Sequence, residues 1–194
     1  MHGAELGANR WPQLAAALRP HRRRVGRYWT VDEVVCFGGQ QKLHLYRAVD
    51  EQGQVIDVLF RDKRDRASAD VVLRQAVARA EVTPQAVITD HHQLYMKAVA
   101  TVLPLARYVR TSLPCRRGYT TEPIEGSHVS TRDRLRSTRG LRTVHTGQRC
   151  VASLEARHAL RQGRVKLHAV VPTYRPTHAT EHEAVRVACA ALAE

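Results

Sequence analysis

The sequence lacks the marks of several large protein classes. It has no run of 18 apolar residues, so we expect no membrane-spanning helix, and residues 1–10 lack the apolar core of a signal peptide. It contains no GxGxxG motif, no P-loop and no GxSxG motif. We therefore expect neither ATP or dinucleotide binding nor a serine nucleophile.

Cysteine is also scarce. The four cysteines occur singly, at Cys36, Cys115, Cys150 and Cys189, and none forms a CxxC pair. This spacing predicts reduced thiols in a cytoplasmic protein rather than disulfides or a zinc site.

Acidic residues are outnumbered by basic ones. The 194 residues include 31 Lys plus Arg against 18 Asp plus Glu, a formal net charge of +13. Such a balance indicates a polyanionic partner, because cationic side chains displace counterions from nucleic acid. Charge alone does not separate DNA from RNA or a membrane surface. GC-rich coding bias accounts for part of the arginine excess but not for the net charge.

The order of predicted elements indicates a mixed α/β domain. Three strand patterns come first, separated by glycine-containing turns, and indicate an antiparallel start to the sheet. Helical and strand patterns then alternate. The predicted strands cover residues 29–37, 42–49, 55–60, 86–88 and 105–109, and the predicted helices cover residues 11–18, 67–81, 92–103, 123–138, 144–162 and 178–193.

Three acidic residues in this pattern suit one metal site. Asp32 lies inside the first strand, Asp90 ends a later strand, and Glu125 opens a helix, 34 residues (91–124) beyond Asp90. Hard divalent cations such as Mg²⁺ prefer oxygen ligands of this kind. Each acid also has a structural explanation: Asp32 facing solvent, Asp90 capping a helix, and Glu125 favoured by a helix dipole.

The order of motifs resembles the catalytic core of DDE transposases of compact bacterial insertion sequences, in the retroviral-integrase or ribonuclease-H-like superfamily. The resemblance spans roughly residues 27–163. The matching segments are WTVDE at 29–33, LYRAVD at 45–50, RD at 64–65, VITD at 87–90, Ile124-Glu125 with His128, GL at 140–141 and LEA at 154–156.

The resemblance implies a ribonuclease-H-like mixed five-stranded sheet. It implies Asp32, Asp90 and Glu125 as the ligands of two Mg²⁺ ions, with Mn²⁺ as a substitute, and Arg132 as the basic partner. A seven-residue spacing places Glu125 and Arg132 on one helix face, which His128 shares. The implied reaction is cleavage of DNA 3′ ends followed by strand transfer.

The implied partners are the terminal inverted repeats of an element and a target DNA. The protein is expected to act at the bacterial nucleoid as a homodimer or larger assembly, because strand transfer needs two DNA ends. We predict three segments: a basic leader over residues 1–27, a catalytic core over 28–163 and a C-terminal extension over 164–194. The leader is too short for the complete helix-turn-helix usual in the family.

Two local departures from the family pattern concern activity. Gly126 and Ser127 stand where an acidic residue is common, and Gly126 weakens a helix by about 1 kcal/mol relative to alanine. Glu122 adds a negative charge near Glu125. A DNA-binding remnant without catalysis, or a nuclease that cuts without joining, are therefore the alternative functions.

Histidine pairs complete the candidate residues. His91 and His92 are adjacent, which favours a polar helix cap over a metal site. His178 and His182 have the spacing of a zinc pair, but no HExxH motif or third ligand accompanies them.

Overall fold

The computed structural model describes residues 11–38, 41–90, 93–110, 124, 143–161 and 164–166. These residues fall into two compact units. One unit, residues 24–148, contains the sheet. The other combines the described residues up to Arg23 with those from Arg149 onward.

The sheet unit confirms the mixed five-stranded sheet. Its strand order is β3-β2-β1-β4-β5; β1, β2 and β3 are antiparallel, whereas β4 and β5 run parallel to β1. The elements are β1 (Tyr28–Gly38), β2 (Gln41–Asp50), β3 (Val55–Arg61), α2 (Arg66–Ala80), β4 (Ala86–Thr89), α3 (Gln93–Val102) and β5 (Arg107–Arg110).

Helices α2 and α3 pack on one face of this sheet. Alternate residues of the central strands, including Trp29 and Val31 of β1, form a buried cluster with Val72, Tyr95 and Val99 of the two helices. Because successive side chains of a strand point to opposite faces, Asp32 lies on the face turned away from α2 and α3.

Asp50 organises the turn between β2 and β3. Its Oδ1 accepts hydrogen bonds from the backbone N–H groups of Gln52 (3.0 Å) and Gln54 (2.7 Å). Gly53 adopts a φ of 71°, a left-handed conformation that glycine reaches without steric cost. This turn fixes the register of the hairpin formed by β2 and β3 and accounts for a buried aspartate outside the candidate site.

Helix α2 has defined ends. Asp65 is its N-cap, and its side chain accepts from the backbone N–H of Ser68 at 2.8 Å. Glu81 closes the helix in the left-handed region, with φ 54°. The predicted helix over residues 67–81 therefore begins one residue earlier and ends one residue earlier than expected.

The fifth strand starts later than predicted. We expected residues 105–109, but β5 spans Arg107–Arg110. Leu103 to Ala106 form a turn, in which the Ala106 N–H donates to the Leu103 carbonyl at 3.0 Å. Leu105 is 92% exposed, so its apolar character marks no buried strand position.

The second unit is described by its two helices and a short connection. Helix α1 (Trp11–Leu18) is followed by a 3₁₀ turn. Helix α4 spans Val144–Arg161, and its residues from Arg149 onward belong to this unit. An isolated bridge joins Arg22 to Val165. Val151, Ala156, Ala159 and Leu160 of α4 are buried, whereas Leu154, whose apolar character also favours a core position, is only partly buried.

Candidate metal centre

Asp32 and Asp90 lie on neighbouring parallel strands. The register between β1 and β4 pairs Trp29 with Val87 and Thr30 with Ile88. Continuing this register by two residues places Asp90 beside Asp32. Adjacent strands are about 4.8 Å apart, so the structure brings these two sequence-predicted carboxylates together at the carboxyl end of β4.

The surroundings of Asp32 disfavour its negative charge. Burial raises its pKa to about 7, and the charges of Glu33 and Asp90 contribute in the same direction. A hydrogen bond from the backbone of Glu33 and the charge of Arg64 oppose this rise without cancelling it. A bound cation would stabilise the ionised form of Asp32 where the protein alone does not.

Glu33 lies on the face of β1 opposite to Asp32, because successive side chains of a strand alternate between the two faces. One of its carboxylate oxygens accepts a hydrogen bond from the Tyr95 hydroxyl on α3, and the other forms an ion pair with Arg64. The Glu33 side chain is only 3% exposed. Burial and the adjacent Glu33 charge raise the pKa of Tyr95 well above its ordinary value, so Tyr95 acts as the donor.

Arg64 lies between Glu33 and Asp90. Its Nη2 lies 3.8 Å from Asp90 Oδ2, and both side chains are partly exposed. Arg64 belongs to the RD segment that we noted in the sequence, but the sequence assigned it no role. Its position between two carboxylates required the strand order and the course of the chain before α2.

The end of β4 is supported from β5. The Thr89 hydroxyl donates to the backbone carbonyl of Asp90 at 2.9 Å and lies 2.9 Å from the Tyr108 hydroxyl. Thr89 is fully buried. These contacts fix the backbone that carries Asp90.

Glu125, His128 and Arg132 lie outside the described residues, as do His91, His92, His178 and His182. Ile124, immediately before Glu125, is helical and fully buried. Within the described ranges, no group of three or more His, Cys, Asp or Glu side chains is placed to hold a metal ion.

The donor set of the described residues fits a divalent cation. Asp32 and Asp90 supply oxygen ligands, the type that Mg²⁺ prefers. Together with Glu33 they bring three carboxylates close together, and the charges of Glu33 and Asp90 both disfavour an ionised Asp32. A divalent ion would offset this repulsion.

The order of the strands and the packing of the helices define the class of the fold, which is ribonuclease-H-like. The catalytic core domain of BIV integrase has the same fold, with a TM-score of 0.51 and 11% identity over 87% of this chain and 97% of that chain. At this identity the likeness concerns the fold alone.

A family model described as a DDE domain, of the IS240 transposase type, matches residues 26–164. The chain therefore belongs to the DDE-domain family of insertion-sequence transposases.

Curated relatives are similar over the same region. The transposase for insertion sequence-like element IS431mec of Staphylococcus aureus strain Mu50 is 27% identical over 132 residues. The transposase for insertion sequence element IS257 in transposon Tn4003 of S. aureus has the same identity. In both cases the alignment covers 68% of this chain and 57% of the relative, so the chain spans little more than half the length of these relatives.

The part of the chain that the structure describes contains no helix with the length and apolar character of a membrane span.

Proposed function

We propose that the protein catalyses divalent-metal-dependent cleavage of DNA 3′ ends and their transfer to a target DNA. The observation that carries this proposal is the juxtaposition of Asp32 and Asp90 on adjacent parallel strands, in a chain of the DDE-domain family with a net charge of +13.

In this proposal Asp32 and Asp90 hold two Mg²⁺ ions, with Glu125 as a further ligand. Bound ions at such a site supply Lewis-acid stabilisation of phosphoryl oxygens and activation of the attacking oxygen. The protein holds Asp32 in a half-buried position and anchors the Asp90 backbone through Thr89. Arg132 would hold a DNA phosphate, and His128 would orient the scissile phosphate or Glu125.

The first step consumes one water and breaks one phosphodiester bond, and the second exchanges one phosphodiester bond for another. Water first attacks the phosphorus at an element end; the bond from phosphorus to the 3′ oxygen breaks, and that oxygen leaves as a 3′-hydroxyl. The 3′-hydroxyl then attacks a target phosphodiester and expels the target's own 3′ oxygen. The second step makes one phosphodiester bond for each that it breaks.

DNA is the proposed partner, in the form of terminal inverted repeats and a target duplex at the nucleoid. Joining two ends in one reaction requires that they be held together, so we propose a dimer or larger assembly on DNA. Light scattering of the protein on paired ends tests this part, and a strictly monomeric complex contradicts it.

The chemistry is tested with labelled DNA carrying the repeats that flank the gene. The protein is incubated with this DNA and either Mg²⁺ or Mn²⁺, alongside Asp90→Asn and the control Asp62→Asn, which alters an exposed aspartate outside the centre. Nicking and joining that Asp90→Asn abolishes and Asp62→Asn retains support the proposal. DNA binding without cleavage contradicts it, and cleavage without joining restricts it to a nuclease.

A further inference from the structure

Arg64 stands between two carboxylates but engages them unequally. It forms a direct ion pair with Glu33, whereas its Nη2 remains 3.8 Å from Asp90 Oδ2. Direct hydrogen bonds between a guanidinium and a carboxylate are about 2.7–2.9 Å long. The guanidinium is therefore committed to Glu33 and only approaches Asp90.

Glu33 is held in place for this contact. The Tyr95 hydroxyl donates to its second oxygen, Tyr95 is fully buried, and the Glu33 side chain is 3% exposed. Arg64 is 37% exposed and Asp90 is 44% exposed. The buried Glu33 carboxylate, which is held by Tyr95, therefore fixes the position of Arg64. Without this ion pair, Arg64 could move toward the more exposed carboxylate of Asp90.

An arginine beside a cation site has an electrostatic consequence. A positive charge a few ångströms from a divalent ion repels it, and a guanidinium in direct contact with Asp90 would compete for the same oxygens. Pairing with Glu33 offsets the charge of Arg64 and holds its Nη2 at the Glu33 carboxylate.

We propose that Glu33 is a positioning residue for the metal centre: by binding Arg64 it keeps the guanidinium off Asp90, so that Asp90 coordinates a divalent cation. This inference rests on the proposed function, because it presumes that Asp32 and Asp90 bind such a cation. It adds a residue on the opposite face of β1 that acts through Arg64 and does not touch the ion.

The test measures Mn²⁺ binding by titration calorimetry and by the electron paramagnetic resonance of free Mn²⁺, without DNA. Glu33→Gln removes the charge that neutralises Arg64, and we expect its dissociation constant for Mn²⁺ to rise by about tenfold. Arg64→Gln removes the competing cation, so it binds Mn²⁺ at least as tightly as the parent. The double variant Glu33→Gln/Arg64→Gln returns to within about threefold of the parent.

A purely structural ion pair predicts a different pattern. In that case the two substitutions would weaken binding separately, and the double variant would be at least as impaired as Glu33→Gln. The electrostatic penalty of Glu33→Gln also falls on raising the salt concentration, because salt screens charges that reach solvent. Recovery in the double variant together with this salt dependence supports the proposal.

The matched control is Asp57→Asn. Asp57 is likewise a buried carboxylate paired with an arginine, Arg79 of α2, but it lies on β3, two strands away from β1. Its loss should leave Mn²⁺ affinity unchanged at temperatures where all variants are folded. If Glu33→Gln does not fold, the proposal is tested with Arg64→Gln alone, because the Arg64 side chain is partly exposed. Weaker Mn²⁺ binding by Arg64→Gln than by the parent protein would then overturn the proposal.

The remaining outcomes are distinct. A parent protein that binds no Mn²⁺, or binds it equally well after Asp32→Asn and Asp90→Asn, refutes the metal centre and this inference together. Metal binding that needs both aspartates but is unaffected by Glu33→Gln refutes only the role of Glu33.

Discussion

The Thr89 and Tyr108 hydroxyl groups lie 2.9 Å apart across the parallel pair β4 and β5. Because the Thr89 hydroxyl donates to the Asp90 carbonyl, Tyr108 serves as the donor to Thr89. A side chain on the edge strand thereby supports the backbone of a candidate metal ligand on its neighbour.

Tyr108→Phe removes this support and leaves the ring in place. We expect DNA nicking to fall by about three- to tenfold, since the loss of a hydrogen bond worth about 1 kcal/mol loosens the Asp90 backbone. Measured nicking rates under saturating Mg²⁺ check this expectation. Tyr28→Phe, which removes a hydroxyl at the start of β1, serves as the control, and an equal loss of rate in both variants would contradict it.

Asp32→Asn should stabilise the metal-free protein while abolishing the proposed DNA cleavage. Burial and the charges of Glu33 and Asp90 all act against an ionised Asp32, so a neutral isostere relieves repulsion. At pH 8 with a chelator we expect the melting temperature to rise by about 2–6 °C, because each kcal/mol corresponds to about 2–4 °C for a domain of this size.

Asp57→Asn, the same chemical change at another position, should lower the stability of the folded protein. Asp57 is buried at 2% exposure and paired with Arg79, and removing one member of a buried pair costs about 3–5 kcal/mol. Because the Arg79 side chain is 31% exposed, we expect the lower end of this range, measured by urea unfolding. A shift of the same sign for Asp32→Asn and Asp57→Asn would contradict this account of the site.

Asp65→Ala tests the helix cap and its dependence on pH. Hydrogen bonds from the hydroxyl and backbone of Ser68 lower the pKa of Asp65, so the ionised form stabilises the folded state. We expect a loss of about 1 kcal/mol at pH 7 relative to the parent. The difference is fully present above the unfolded pKa of about 3.9 and shrinks as the pH falls through the lower folded value.

The measurement for this cap is urea unfolding at a series of pH values. Asp62→Ala, at an exposed position three residues earlier, should change stability by less than about 0.5 kcal/mol. A difference between parent and Asp65→Ala that grows in acid would show that the carboxylate does not act as the cap.

Gln148→Ala should destabilise the edge of the sheet. The Gln148 side chain accepts from the Phe60 N–H and donates to the Val58 carbonyl, each at 2.8 Å, and so completes the outer side of β3. Its removal leaves two backbone groups without this partner, at a cost of about 1–2 kcal/mol. Urea unfolding against His145→Ala, an exposed position in the same helix, measures the effect; equal stabilities would contradict it.

Much of the fold was predictable because its elements have strong local signals. The β-branched and aromatic run of β1 and the left-handed Gly53 mark strand and turn directly, and the apolar spacing of α2 marks a helix. The predicted fifth strand began two residues too early because it included Leu105, which is apolar but 92% exposed. Apolar character does not specify burial where a turn follows a helix.

The sequence predicted that Asp32 and Asp90 lie close together, which the strand register supports, but it did not predict what surrounds them. Asp32 and Asp90 could be selected because each sits at a recognisable place on a strand. Arg64 could not be selected from the sequence, because its contact with Glu33 depends on the path of the chain between β3 and α2. Tyr95 is buried on α3 among apolar side chains, and the apolar spacing of this helix gives no sign that its hydroxyl binds Glu33. Glu125, His128 and Arg132 stay predictions.

The spacing of the two aspartates follows from main-chain pairing between β1 and β4 rather than from any intervening loop. Hydrogen bonding between neighbouring strands sets a nearly constant distance of about 4.8 Å between them. Insertions in the connections between these strands should consequently leave the ligand distance intact, provided that the register of the three paired residues survives. Shifting that register by one position would turn one carboxylate to the opposite face of the sheet. The pair of aspartates therefore depends on the alignment of β1 with β4 and not on the length of the segments that connect them.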